Sequence, residues 1–372
     1  MKQLKNFIQA ESAPGLILIL TGLLAMILSN SPYAPEYFAL INIRQPFDFI
    51  FVVNDVLMAV FFLDVGLEIK HQFLNGKLSK IRQILLPVIA ACGGVIVPAL
   101  IFALFNRSNP AALHGWAIPT ATDIAFAVGV IILLGKRLPI QLKVLLLAIA
   151  VIDDLIAIVF IAVIYSQNIS ILYLSFAAVA VLLLCLLNYN NISNIVAYMA
   201  VGFVLWFCML HSGVHPTISG VIIALTIPLS IGNKLHNNLY VLVSFVIMPL
   251  FAFTNAGVSL HNIRYFDLVD PVPLGIAAGL IFGKQFGIFS ATWLAVKTRL
   301  ALLPAGLTWK HIYGMAIIAG IGFTMSIFIG NLAYKTSGQE YILVSKLGVL
   351  TGSTISAIWG YLYLRRVIYL KN

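Results

Sequence analysis

Charge is scarce in this chain, and cysteine scarcer still. Asp, Glu, Lys and Arg make up only 9% of 372 residues, against 61% hydrophobic. A water-soluble surface cannot be assembled from so little charge, so a soluble fold is excluded. The three cysteines, Cys92, Cys185 and Cys208, all lie inside apolar runs and follow neither a disulfide nor a metal spacing. Strands of alternating polarity are missing, which excludes a β-barrel. Low-complexity segments and attached soluble domains are missing too. The basic excess, 22 Lys and Arg against 12 Asp and Glu, does not point to nucleic acid, because it gathers in short loops. Lys2 and Lys5 ahead of Leu16–Leu28 imitate a signal peptide. The following Asn30-Ser31-Pro32 is a poor cleavage site, so an uncleaved first span is expected.

What is present is a succession of apolar runs, each long enough for a helix to cross the bilayer. About 20 residues at ~1.5 Å each cover the ~30 Å hydrocarbon core. Twelve spans are read, at about 14–30, 49–75, 84–105, 115–135, 142–166, 170–188, 192–210, 213–230, 239–260, 272–296, 311–334 and 342–366. The fold class is therefore an all-α polytopic membrane protein, with 1–372 as one transmembrane domain embedded in the lipid bilayer. Sixteen Lys and Arg fall on one set of loops and termini (Lys70, Lys77, Lys80, Arg82, Lys136, Arg137, Lys143 and Lys234 among them). Only Arg44, Arg107, Arg264, Lys335 and Lys346 fall on the other, so the first set, with both termini, is expected in the cytoplasm. The remaining cation, Lys284, belongs to neither set, for it sits inside the tenth span.

The stretch that organises the rest runs from Val144 to Tyr165, with Asp153 and Asp154 adjacent at its middle. Each carboxylate at that depth costs about 2.5–3.5 kcal/mol, and each Leu, Ile, Val or Phe returns about 0.3–0.6. The helix inserts, but with little to spare, and intramembrane acids that costly are functional by default. Neighbours on a helix point ~100° apart, so the two carboxylates need different partners. Two acids so close titrate as a coupled pair. A hard cation entering between them needs ionised oxygens and must displace protons. That competition is the logic of an antiporter. More protons than cations move if two titratable groups change state for each cation.

Lys284 lies in Gly275-x3-Gly279-x3-Gly283-x3-Gly287, a ridge of small residues suited to close helix packing. Its ammonium needs an acid, and Asp153 and Asp123 are both available. Such a lysine serves as a strut or as a proton carrier. The fourth span is interrupted at Pro119-Thr120-Ala121-Thr122-Asp123 and the eleventh at Ala319 to Ser326. Irregular backbone at membrane depth survives only where protein or a water cavity receives it. Paired breaks point to a core of two repeats, about 84–166 and 272–366. Asp123 is read chiefly as compensating the partial positive charge of broken half-helices, and the Thr122 hydroxyl as an additional cation ligand. Asp64 and Glu68 share one helix face near the cytoplasmic end, where a pH-dependent gate and a solvated wall or interface anchor are both open readings. For His215, a structural role is the plainer reading.

The segments WAIPTATDIAFAVGV (116–130), AIAVIDDLIAI (148–158), MAVFFLDVGLEIK (58–70), SGVHPTISGVI (212–222), PLFAFTNAGVSL (249–260) and GIGFTMSIFI (320–329) resemble the bacterial NhaA-type sodium/proton antiporters. The likeness runs from about Gln9 to Tyr363. It implies twelve helices with inverted repeats, the interrupted fourth and eleventh crossing at mid-membrane. It implies electrogenic, pH-regulated export of sodium or lithium by proton entry across the bacterial inner membrane, in the service of sodium and pH homeostasis. By motif match Asp154 is the main cation ligand, and Asp153 the proton-linked acid paired with Lys284. Asp123 and Thr122 stand at the crossing, and Glu68 and His215 at positions linked to pH response. Asp55 matches an acid of the family motif to which no role is assigned. No cofactor is implied, since sodium, lithium and protons are cargo. A homodimer is implied through an outer β-hairpin at 31–48, a segment holding Pro32, Pro35 and Pro46.

Two departures stand out. Asp64 replaces an apolar residue, and His236 a glutamate linked to pH sensing, of the family's best-known member. A shifted pH profile is therefore expected. Two other readings carry less. Intramembrane aspartyl proteases use two buried acids, but on facing helices with a Gly-x-Gly-Asp segment that this chain lacks, so an enzyme is not expected. A sodium-coupled organic-anion transporter of the same architecture is the nearer alternative, and the adjacent acids with Lys284 favour proton coupling over it.

Overall fold

The computed structural model of the chain describes residues 13–45, 48–74, 81–135, 137–166, 168–261 and 270–369. Among the described residues every regular element is helical. Lys2, Lys5, Lys77, Lys80, Lys136 and Arg264, named above, lie outside them, as does Pro46. In chain order the helices are α1 (Ala13–Ser29), α2 (Ala34–Ile41), α3 (Phe49–Leu74), α4 (Ile81–Asn106), α5 (Pro110–Thr120), α6 (Ile124–Leu133), α7 (Ile140–Val163) and α8 (Ile171–Tyr189). They continue as α9 (Ile195–Ser212), α10 (Ile218–Thr226), α11 (Leu229–Ala256), α12 (Pro271–Lys297), α13 (Trp309–Ile318), α14 (Phe323–Ala333) and α15 (Gln339–Tyr369).

Eight of these are long and apolar enough to cross a membrane, or up to eleven spans if each of three bent pairs counts as one. The expected eighth span, 213–230, is present as the nine-residue α10. Gly213 ends α9 in the left-handed region, at φ 87°. Pro228 holds Ile227 extended at φ −64°, ψ 134°. Only the short helix fits between those two stops.

The β-hairpin expected at 31–48 is corrected by the structure. Among the described residues the segment forms α2, bent 119° from α1. Pro35 falls in the first turn, where a missing N–H is no loss, and Glu36 suits the positive end of the helix. No strand edge is offered there, so a dimer made through this segment has to use helix packing.

The chain divides into two compact units. The first holds Met1–Tyr37, Lys80–Ala157 and Asn255–Asn372, and the second Phe38–Ser79 and Ile158–Thr254. In the first unit one order of elements occurs twice. A long helix, a broken pair and a long helix make α4, α5/α6 and α7, and again α12, α13/α14 and α15. The broken pairs bend by 44° and 47°. The glycine ridge of α12 packs on α4. A Cβ at Gly283 would meet Pro98, and one at Gly287 would overlap the carbonyl of Gly93. Only glycine permits that approach, which brings Lys284 against α4 and seals it from solvent. In the second unit α3 packs on α10 and α11, with Leu63, Leu67, Ala224 and Ile227 in its core.

Candidate functional site

The breaks in α5/α6 and α13/α14 meet each other within the first unit. Pro119 has no N–H to continue its helix, and Ala121 turns extended at φ −81°, ψ 155°. The exposed polar groups are answered from the opposite break. The Asp123 N–H donates to the Ile321 carbonyl at 2.7 Å, and the Ser326 hydroxyl to the Ile118 carbonyl at 2.7 Å. Asp123 is the N-cap of α6, its Oδ1 accepting from the Phe126 N–H at 2.9 Å. Its Oδ2 accepts from the Thr324 N–H at 3.1 Å and from the Thr324 hydroxyl. One carboxylate thus caps the first turns of two half-helices, α6 and α14, whose partial positive charges face it.

Asp153 and Asp154 come from the middle of α7, 2% and 1% exposed, and Lys284 from α12 is 0% exposed. Asp153 Oδ2 accepts from Lys284 Nζ at 2.6 Å and from the Thr122 hydroxyl at 2.9 Å. The Thr122 hydroxyl also lies 2.9 Å from the Ala319 carbonyl, and its single proton serves one acceptor at a time. Asp153 Oδ1 and both oxygens of Asp154 have no hydrogen-bond partner among the described residues. Native proteins rarely leave buried polar atoms so, and three carboxylate oxygens together are the donor chemistry that a hard cation takes. Of the two acids available to Lys284, it pairs with Asp153; Asp123 spends its oxygens on helix ends.

Asp64 and Glu68 of α3 gather elsewhere, in the second unit. His236 of α11 places Nδ1 at 2.8 Å from Asp64 Oδ1 and Nε2 at 3.2 Å from Glu68 Oε2. A ring that donates at both nitrogens is the imidazolium. Gln72 Nε2 donates to Glu68 Oε1 at 2.6 Å, and Lys70 Nζ to the Leu225 and Ile227 carbonyls at 2.6 Å each, closing the C-terminal end of α10. His215 is not part of this group. Its Nε2 lies 3.5 Å from Asp55 Oδ1 and its Nδ1 2.7 Å from the Thr217 hydroxyl.

Sequence reasoning missed three features of the first unit. Ser353 accepts the Gly322 and Phe323 N–H groups at 3.2 and 3.0 Å, capping α14 from the side. Ser356, fully buried, has no partner among the described residues and presses on Gly320, where a Cβ would stand 2.6 Å from its Oγ. Both serines lie in the small-residue face of α15, which reads as packing. The third is a π turn at Gly279–Gly283, just before Lys284, which carries no sequence signal beyond its glycines.

A family model described as Na+/H+ antiporter 1 matches residues 5–364. The chain belongs to that family. It is 48% identical over 374 residues to a protein of Pseudomonas putida named Na(+)/H(+) antiporter NhaA, covering 96% of this chain and 95% of that one. A relative from Syntrophotalea carbinolica, Na(+)/H(+) antiporter NhaA 1, is 48% identical over 385 residues, covering 99% and 97%. One from Aeromonas hydrophila, again named Na(+)/H(+) antiporter NhaA, is 48% identical over 380 residues, covering 97% and 95%. Members of the Na+/H+ antiporter 1 family are transporters, so this chain is not an enzyme.

Proposed function

We propose that this protein exports Na+ or Li+ across the bacterial inner membrane in exchange for a larger number of incoming protons. Exchange is electrogenic and activated at alkaline pH, serves sodium and pH homeostasis, and requires no cofactor. Both termini face the cytoplasm. The observation that carries the reading is Asp154: a carboxylate 1% exposed, both oxygens without a hydrogen-bond partner among the described residues, next to the Lys284–Asp153 ion pair.

Asp154 is the main ligand of the cation. Asp153 Oδ1 adds a third carboxylate oxygen, and the Thr122 hydroxyl a neutral one while its proton rests on the Ala319 carbonyl. Protons on these carboxylates and the cation exclude one another, because each uses the same lone pairs. When the cation holds Asp153, the Lys284 ammonium loses its counter-charge and gives up a proton. Asp123 stays with the ends of α6 and α14, holding the crossing together as ions come and go. The stretches 84–166 and 272–366 act as inverted repeats, rocking so that the pair of acids is open to one side at a time. The Asp64–His236–Glu68 group sets the pH of activation, and His215 contributes to it through its contact with Asp55.

Everted membrane vesicles test this directly. Sodium added outside should release protons from wild-type vesicles. The Asp154→Asn variant should be silent, and the Asp153→Asn variant should bind cation weakly with altered charge per cycle. Normal exchange in both Asn variants would remove the acid pair from the mechanism.

A further inference from the structure

Gln285 follows Lys284 on α12 and is fully buried, yet it makes no contact with the acids of α7. Its Oε1 accepts from the Tyr313 hydroxyl of α13 at 3.0 Å. Its Nε2 has no acceptor among the described residues. A buried amide in that state is a net loss to the fold, because one neutral hydrogen bond contributes less than a bare buried donor costs. An apolar side chain of the same length would pack there more favourably. Stability therefore does not account for the amide.

The hydroxyl that meets it is aimed with care. The Tyr313 ring stands edge-to-face with Phe289 of α12, centroids 5.6 Å apart, and with Tyr363 of α15 at 5.3 Å. Phe289 also meets Trp309, one turn before Tyr313, at 5.8 Å. Edge-to-face contact is a preferred aromatic geometry, and two such contacts leave the ring little freedom.

What the bond fixes follows from the backbone. The π turn at Gly279–Gly283 ends just before Lys284, with a glycine at each of its own ends. Glycine backbone resists a change of angle least, and π geometry is itself rare and confined to single turns. Gly283 and Gly287 let α12 approach α4 closely, but they offer no side chain to stop α12 from turning about its axis. Beyond the π turn two neighbouring side chains do so. Lys284 reaches Asp153 of α7, and Gln285 reaches Tyr313 of α13, in directions about 100° apart around the helix.

We propose that Gln285 is a positioning residue for Lys284. Its bond to Tyr313 holds α12 at the angle at which the ammonium meets Asp153 Oδ2 and leaves Oδ1 to the cation. The consequence for transport rests on the exchange reading above; the consequence for the seating of Lys284 does not. Without the brace α12 turns, the Asp153 carboxylate follows the ammonium, and Oδ1 leaves the cation site. Sodium is then held by fewer oxygens, while both crossing breaks keep their own hydrogen bonds.

The test uses the full chain, purified and in everted vesicles, as Gln285→Met, Tyr313→Phe and the double variant. Acetylation of Lys284 by acetic anhydride, read by mass spectrometry relative to Lys70 of the second unit, reports the seating without any transport. Gln285→Met should be labelled several-fold faster at Lys284 than wild type, yet unfold at the same or a higher temperature. A bond that only joined α12 to α13 would lower the unfolding temperature and leave the labelling alone, which overturns the proposal. In vesicles, half-saturating sodium should rise about three- to tenfold in Gln285→Met with the maximal rate little changed, the mark of lost ground-state binding. Tyr313→Phe keeps the ring and removes only the hydroxyl; it should move labelling and half-saturation in the same direction, and it decides the matter if Gln285→Met does not fold. The double variant should go no further than Gln285→Met, since two ends of one bond are not additive. Additive effects, or a reduced maximal rate at unchanged half-saturation, overturn the proposal. Wild-type vesicles silent to sodium would overturn the exchange reading instead, and the labelling would still decide this one.

Discussion

At the scale of single residues the site is a question of which lone pairs are already taken. Asp123 has its oxygens committed to Phe126 and Thr324, whereas Asp154 has none committed among the described residues. Lys284 is the cationic partner of Asp153, beside the neutral hydroxyl of Thr122. Removing one member of a buried ion pair costs about 3–5 kcal/mol, while replacing both is often nearly neutral. Lys284→Gln should therefore lower the unfolding temperature in detergent clearly. Adding Asp153→Asn should restore most of the loss; an additive further drop would contradict the pairing. A second expectation concerns His236. Its imidazolium bridges Asp64 and Glu68, and loss of its proton breaks one of those bonds. If alkaline activation works by breaking this bridge, His236→Ala should be active at lower pH than wild type. The activity–pH curve in vesicles reads this, and an unmoved or alkaline-shifted midpoint counts against it. Asp153, Asp154 and Lys284 were legible from sequence because a charge in an apolar run is conspicuous. The bridging by His236 was not, since nothing along the chain brings residue 236 to residues 64 and 68.

At the scale of elements, the breaks decide the site. Pro119 and the Gly320–Gly322 run announced both interruptions, because proline removes a donor and paired glycines weaken a helix. The sequence did not disclose how each break is repaired. Ser353 caps α14 across a gap of about thirty residues, and the π turn before Lys284 rotates that side chain by a shift that leaves no compositional trace. The hairpin expected at 31–48 came from the family resemblance and not from the residues themselves, for Pro35 sits comfortably in a first helical turn. Close packing of α12 was foreseen from the glycine spacing, its partner α4 was not, and the contact can be measured. Gly287→Val places a branched side chain against the Gly93 carbonyl, and overpacking of this kind costs about 1–3 kcal/mol. Thermal unfolding should fall accordingly, and exchange should weaken as Lys284 is displaced. A variant as stable and active as wild type would show that the two helices have slack between them.

For the molecule as a whole, exchange is a statement about linked equilibria. If cation and protons compete for the α7 pair, apparent sodium affinity must rise with pH, by about tenfold per unit for each proton displaced. Half-saturating sodium measured across a pH series should show that dependence, and a flat series would leave no competition to drive transport. The crossing of the breaks also bears on how the protein is made. Asp123 is answered by Thr324, 201 residues later in the chain. Synthesis at about 5–20 residues per second leaves roughly 10–40 seconds in which α6 is complete and its carboxylate has no answering strand of chain. During that interval a nascent chain carries a bare acid among lipid tails, a mark that membrane quality control is equipped to notice. Messages truncated between α6 and α14 should therefore yield protein that is destroyed instead of merely inactive.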